Sequence, residues 1–406
     1  MLARSTCFAL IVVSLAVLSL ALFSTFALAA VPEKNLQPPW DLAKLKQLPK
    51  ATWGAKSGLV QEVWYDGEDF QGKPTRVFAW YARPARGDGP YPGMVLIHGG
   101  GGKAFAEWAT LWAERGYAAI AMDTAGQGPD GKRHADAGPD QSAPAKFPKD
   151  SAELPADTFW TYHAVAAAIK AHSLLASRPE VDASRIGVTG ISWGGYLTCI
   201  VAGLDDRFKA AVPIYGCGFL DDNSAWLNNF EHMNADDRTR WMAQFDPKMY
   251  LPQVKCPILF MNGTNDFAYP LDSYQKSYHL VPGPIELSVR VRMPHGHPSG
   301  WAPVEIGLFV DSIVKGTPAL PRLSASQTTG NTATATFTAP LSVGEPMLHY
   351  TTDGGTWNKR LWKSVPAVLD GKTIRAELPK ERPLVYYLSL TDERGALAST
   401  PHVELP

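Results

Sequence analysis

The chain has 406 residues, 45% of them hydrophobic and 19% charged, which is too long for one ordinary domain and too apolar for a disordered chain. Its 38 Lys and Arg against 39 Asp and Glu leave a net charge of -1, so no global basic field draws it to nucleic acid or to an anionic membrane. With 35 Gly, 33 Pro and 13 Trp, a long helical bundle is excluded in favour of a loop-rich globular protein with many aromatic anchors.

The N-terminus carries Arg4, an apolar stretch over residues 8–26, and then the small residues Ala27 and Ala29. This is the pattern of a secretory signal peptide, residues 1–29, cleaved after Ala29, and it predicts a secreted or periplasmic protein. The competing reading is an uncleaved anchor, because the apolar run is about long enough to span a bilayer. No later run is that long, so no membrane association is expected after cleavage. Cys7 leaves with the signal. Cys199, Cys217 and Cys256 remain, an odd number at wide spacings that fits neither a disulfide framework nor a zinc site. They read as small buried residues, although one pair has the option of bridging in an oxidising periplasm.

Residues 59–83 alternate as a hairpin around a Gly-containing turn. The pattern then changes to short apolar runs without polar alternation at 94–97, 118–122, 185–189, 210–214 and 257–261, which suit strands buried on both faces of a parallel sheet. A further strand is predicted over 287–293. Helical segments at 105–115, 158–176 and 193–204 separate them, giving an α/β order with antiparallel strands at the start. Two segments interrupt the rhythm. Residues 216–250, with Phe219, Trp226, Phe230, Trp241 and Phe245, read as a cap over the carboxyl edge of the sheet. Residues 126–155, rich in Gly, Pro, Asp and Lys, read as a long surface loop beside that edge. A helix over 303–314 ends at a linker, 317–321. Beyond it, short Thr-, Val- and Tyr-rich strands with Asp-Gly turns predict a small all-β, immunoglobulin-like sandwich over 319–406. The catalytic unit is thus residues 30–318, expected to fold alone.

The run at 185–189 leads into Gly190-Ile191-Ser192-Trp193-Gly194. G-x-S-x-G between a buried strand and a helix is a tight turn that lifts a serine Oγ to the helix N-terminus, and small residues are needed on either side of it. The run at 94–97 ends in His98-Gly99-Gly100-Gly101-Gly102, where unobstructed N–H groups suit an oxyanion hole formed by Gly100 with Trp193. A phosphate-binding loop is excluded there, because Ala104 follows Lys103 in place of Ser or Thr and Ile97 stands where its first Gly belongs. Asp266 follows a late strand and is the candidate acid, against the plainer role of an Asx-turn. Pro294-His295-Gly296-His297 follows the next strand, completing the chain order serine, acid, histidine of an α/β-hydrolase triad. His297 is taken as the base, with His295 as runner-up. It lies four residues past Met293 and follows Gly296, whose backbone freedom lets the chain turn back. His295 is then left to border the substrate with Tyr269 and Trp301. Half of a metal site is the other reading of His-x-His, but no further ligand cluster accompanies it.

From about residue 83 to 316 the chain resembles the bacterial α/β-hydrolases of the acetyl xylan esterase and dienelactone-hydrolase-like kind, relatives of prolyl oligopeptidase catalytic domains. The strings that carry the likeness are HGGGG at 98–102, VDASRIGVTGISWGG at 181–195, NGTNDFAYP at 262–270 and MPHGHPSGW at 293–301. The resemblance implies a nucleophile at Ser192, an acid at Asp266 and a base at His295 or His297. The C-terminal sandwich is an addition to the minimal fold, and the propeller of the oligopeptidases is missing.

The function expected is a secreted serine esterase acting on a small-molecule or carbohydrate ester, with a xylan-type deacetylase as the favoured case and no metal or organic cofactor required. A peptidase acting on short peptides is the alternative within the same fold. A non-catalytic protein binding through the sandwich is the reading from a different class, and the complete Ser, Asp and His set argues against it. Nothing in the sequence speaks to oligomeric state.

Overall fold

The computed structural model describes residues 38–406, so the signal peptide expected at 1–29 lies outside the described residues. Nine strands form one sheet: β1 (Ala51–Ser57), β2 (Val60–Asp66), β3 (Arg76–Ala82), β4 (Tyr91–Ile97), β5 (Ala118–Met122), β6 (Val181–Ile191), β7 (Ala210–Ile214), β8 (Ile258–Gly263) and β9 (Ile285–Arg290). Their spatial order is β1-β2-β3-β5-β4-β6-β7-β8-β9. The first three are antiparallel, β3 meets β5 antiparallel, and the ladder from β5 to β9 is parallel. Strands β5, β7 and β8 are buried at every residue, as unbroken apolar runs demand when helices cover both faces. Strand β1 was absent from the sequence expectation. It is an edge strand, mostly exposed, and so carries no apolar alternation to reveal it.

The chain leaves β4 toward β5 on one side and later returns to β6 on the other. This is a topological switch point, where the carboxyl ends of neighbouring strands open a crevice. Ile97 of β4 lies beside Gly190 of β6, so the glycine run and the serine turn emerge next to each other. Gly263 of β8 lies beside Arg290 of β9, so the acid-bearing and histidine-bearing loops also leave side by side. Strand β9 ends at Arg290 rather than at Met293.

The helices Trp160–Ala176 and Trp193–Leu204 pack on each other. The latter is apolar all round and buried along nearly its whole length. Residues 216–250 hold the helices Leu227–Glu231 and Ala235–Phe245. The segment 126–155 differs from the surface loop expected. Lys146, Ser151 and Phe147 are buried, and the Phe147 ring packs against Trp193, Phe230 and Trp241. One aromatic residue in a polar stretch is enough to pull the segment into the core.

Ten further strands, β10 (Arg322–Leu323), β11 (Gln327–Thr329), β12 (Thr332–Thr338), β13 (Met347–Thr351), β14 (Lys363–Pro366), β15 (Val368–Asp370), β16 (Thr373–Glu377), β17 (Leu384–Thr391), β18 (Leu397–Ser399) and β19 (Val403–Leu405), make two antiparallel sheets. Alternate residues of β12 point inward, and Ala335, Phe337, Leu348, Ile374 and Leu388 share one core. The segment 317–321 is no free linker. Leu320 is buried, and the Arg394 guanidinium donates to the carbonyls of Pro318 and Ala319. A second apolar cluster joins Leu271 and Val289 to Trp357, Trp362, Val385 and Tyr387 across the two parts of the chain.

Candidate active site

Ser192 closes β6 and opens the helix that follows. Its φ of 59° and ψ of −118° form a conformation that a non-glycine residue adopts only when its surroundings enforce it. The enforcement is visible. Ser192 N–H donates to the Ile214 carbonyl of β7 at 2.9 Å, and its own carbonyl accepts from Tyr196 N–H at 2.9 Å. A Cβ on Gly194 would run into the Ile97 carbonyl oxygen, so the motif's second glycine lets the helix start pressed against β4.

Asp266 is buried and uses both carboxylate oxygens. Oδ1 accepts from Ala268 N–H at 2.9 Å and Tyr269 N–H at 2.8 Å, which is the Asx-turn. Oδ2 accepts from His295 Nδ1 at 2.6 Å. The turn and the acid are therefore one residue doing both. The His295 ring stacks on Tyr215, centroids 4.5 Å apart, and touches Phe267 at 4.8 Å. Tyr215 Oη donates to the Pro294 carbonyl at 2.7 Å, fixing the backbone just before the histidine.

The pairing expected of His297 is thus found at His295. The loop argument assumed a strand reaching Met293, but β9 ends at Arg290, and His295 already has enough chain to turn back. His297 instead points at the glycine run. Its Nε2 accepts from Gly99 N–H at 2.9 Å, and its ring packs on Phe105 at 4.6 Å. Burial, with His98 and His295 nearby, pushes its pKa down to about 4. It is therefore neutral at pH 7, which leaves Nε2 able to accept from Gly99 N–H.

The glycine run is pinned from several sides. Gly101 N–H donates to Gln141 Oε1 at 3.2 Å and Gly102 N–H to the Gly99 carbonyl at 3.2 Å. His98 Nε2 accepts from Thr124 N–H at 2.9 Å, so its Nδ1 carries the proton donated to the Gly99 carbonyl at 2.8 Å. Among the described residues Gly100 N–H alone of the four glycines has no acceptor. Trp193 N–H, in the first helical turn, has no intrahelical partner either. A Cβ on Gly100 would lie 3.0 Å from Trp193 Cδ1, so the glycine packs against the edge of the Trp193 indole.

The Trp193 indole lies among Trp160, Tyr196 and Trp226, centroids 4.4 to 5.5 Å away. Lys146 Nζ sits 4.7 Å over it, donating to the Gln141 carbonyl at 2.7 Å, and burial pushes the lysine pKa down to about 8. Tyr269, expected to line the substrate, is wholly buried against Trp226. Trp301 is turned onto Phe105 and Trp108, where it walls a cavity of about 200 Å³ between the helices Ala106–Glu114 and Val304–Val314. Tyr215, Gln141, Lys146 and Asn265 went unnoticed in the sequence. Only Tyr215, directly after a buried strand, offered a signal. Among the described residues no group of three or more His, Cys, Asp or Glu is placed to hold a metal, Cys199, Cys217 and Cys256 are free, and no helix is long and apolar enough to cross a membrane.

Residues 40–262 match the family described as acetyl xylan esterase (AXE1). The chain belongs to the acetyl xylan esterase family. The match includes the glycine run and Ser192 and stops short of Asp266. Acetyl esterase Axe7A of Xylanibacter ruminicola is 25% identical over 225 residues, 52% of this chain and 50% of the relative. The uncharacterized peptidase YuxL of Bacillus subtilis is 28% identical over 263 residues, 59% of this chain and 36% of the relative. The chain thus spans half or less of the length of these two curated relatives. Among solved structures, an acetyl xylan esterase from Paenibacillus sp. R4 superposes with a TM-score of 0.54 at 25% identity, over 63% of this chain and 88% of that one. Acetyl xylan esterase 1 from Thermoanaerobacterium sp. JW/SL YS485 shares the fold, with a TM-score of 0.52 at 18% identity over 64% and 90% of the two chains. Membership of this family agrees with the expected α/β-hydrolase architecture.

Proposed function

We propose that the protein is a secreted serine esterase that removes acetyl groups from carbohydrate, with Ser192 as nucleophile, His295 as general base and Asp266 as the acid that orients it. The observation that carries the reading is the 2.6 Å bond from His295 Nδ1 to Asp266 Oδ2, in a chain whose motif serine is held at positive φ. With Nδ1 committed to the carboxylate, His295 Nε2 is the nitrogen left to take the Ser192 proton as Oγ attacks the ester carbonyl. Gly100 and Trp193 N–H groups receive the oxyanion. The imidazolium then protonates the departing alcohol, and a water, deprotonated in turn by His295, releases acetate. Residues 30–318 form the catalytic part with the cap at 216–250, and 319–406 an immunoglobulin-like sandwich.

Purified mature protein should hydrolyse p-nitrophenyl acetate and release acetate from acetylated xylan and xylo-oligosaccharides, and Ser192→Ala should lose roughly 10³-fold or more in kcat with an unchanged circular dichroism spectrum. Ester activity retained in folded Ser192→Ala refutes the mechanism. Faster turnover of peptidyl-nitroanilides than of every acetyl ester would make the protein a peptidase.

A further inference from the structure

The loop that carries Asp266 is gripped by the C-terminal domain. Asn265 Nδ2 lies 2.8 Å from the Arg360 carbonyl oxygen, 3.1 Å from that of Asn358 and 3.3 Å from that of Trp357. Three acceptors around one terminal atom fix it as the amide nitrogen, since an oxygen there would face only other oxygens. Asn265 Oδ1 in turn accepts from Thr264 Oγ1 at 2.9 Å, and Thr264 Oγ1 accepts from Arg292 N–H at 2.9 Å. Arg292, at φ 52°, stands three residues before His295. One chain of hydrogen bonds therefore runs from the C-terminal domain through Asn265 to the loop of the acid and on to the loop of the base.

The grip is stiff at its far end. The three carbonyls belong to the 3₁₀ turn Trp357–Lys359 and the residue after it. Trp357 is buried in the cluster shared by the two parts of the chain, the Arg360 guanidinium lies 3.8 Å over its ring, and Leu361 N–H donates to Asp353 Oδ2 at 2.6 Å. Asp266 already makes its own turn through Oδ1, so Asn265 is not needed for local turn formation. Its amide nitrogen is committed to carbonyls more than ninety residues away in sequence.

We propose that Asn265 is a positioning residue through which the C-terminal domain sets the Asp266–His295 pair. The proposal rests on the triad reading above. Its chemistry is alignment. An Asp266 freed by even about 1 Å loses geometry worth roughly 10²-fold in rate.

The test uses the full mature chain carrying Asn265→Ala, Asn265→Ser or Asn265→Asp. The expected result on p-nitrophenyl acetate is a fall in kcat of roughly 10- to 100-fold with KM changed by less than about threefold. Asp, whose carboxylate faces three carbonyl oxygens, should be worst, and Ser, which keeps one donor, mildest. The split between a fallen kcat and a steady KM, with recovery in the milder Asn265→Ser, is the signature of positioning. A merely structural asparagine would lower Tm and leave kcat per folded enzyme where it is. The proposal is overturned by wild-type kcat in the variants, by a lowered Tm with an unmoved kcat per folded enzyme, or by failure of all three to fold, which would make Asn265 a folding residue. Asp266→Asn in the otherwise intact chain separates the two readings. Activity there sinks the triad itself, whereas an inactive Asp266→Asn beside normal Asn265 variants sinks only the grip.

Discussion

Replacing His297 by Ala leaves Gly99 N–H, now bonded at 2.9 Å to the imidazole, without an acceptor in a partly buried setting. Stranding such a donor costs about 1–3 kcal/mol. Gly99 precedes the proposed oxyanion donor Gly100, so the loss is felt where negative charge develops. If most of it reaches the transition state, kcat falls roughly 10- to 100-fold. His297→Gln, whose Oε1 still offers an acceptor, should recover much of that. His295→Ala removes the proposed base itself and should cost roughly 10³-fold or more. The assay is steady-state hydrolysis of p-nitrophenyl acetate by the three variants, each checked by circular dichroism. A His295→Ala enzyme within about tenfold of wild type, beside an inactive His297→Ala, would refute the reasoning and restore His297 as the base. Both variants near wild type would remove histidine from the mechanism.

Gly102→Ala places a Cβ 2.7 Å from the His297 ring and 2.9 Å from His98 Nδ1, so it should lower kcat by roughly tenfold and stability by about 1–3 kcal/mol, read from kinetics and urea melts; unchanged values would mean the glycine run has slack. On the acid side, the pKa of His297 is held at about 4 in the folded chain, against about 6.5 when unfolded. The unfolded chain therefore binds more protons in between, and stability present above pH 6.5 declines as pH falls toward 4. His349, buried and likewise lowered to about 4, adds to that slope. Urea melts at pH 7 and pH 4.5 should show His297→Gln losing less stability than wild type over this interval, and equal losses would contradict the assignment.

The parallel strands were legible because runs such as Ala118–Met122 are apolar without alternation, and that pattern has one good home. Ser192 was legible because a tight turn leaves its mark in obligatory small residues. The choice between His295 and His297 was not, since it hung on where β9 stops. Residues 291–293 read Val-Arg-Met and continue the strand's composition, yet Arg292 takes a positive φ and the ladder ends before it. Asn265 was invisible for a different reason. Its three partners are main-chain carbonyls of a distant loop, and carbonyls have no residue identity to read. The apolar cluster across the boundary was not legible either, because Trp357 and Trp362 look like ordinary core tryptophans until a neighbour is known.

Strand β9 is the last of the large sheet, and its outward main chain meets the C-terminal domain. Val289 N–H donates to Ser399 Oγ at 2.9 Å, and Glu286 pairs with Arg322. During synthesis that cover arrives late, because Ser399 lies more than a hundred residues after β9. Until then the nascent hydrolase part presents an open β edge, the form most prone to recruit strands from other chains. A chain stopped after residue 318 should therefore be recovered largely in inclusion bodies, as read from its soluble and insoluble fractions.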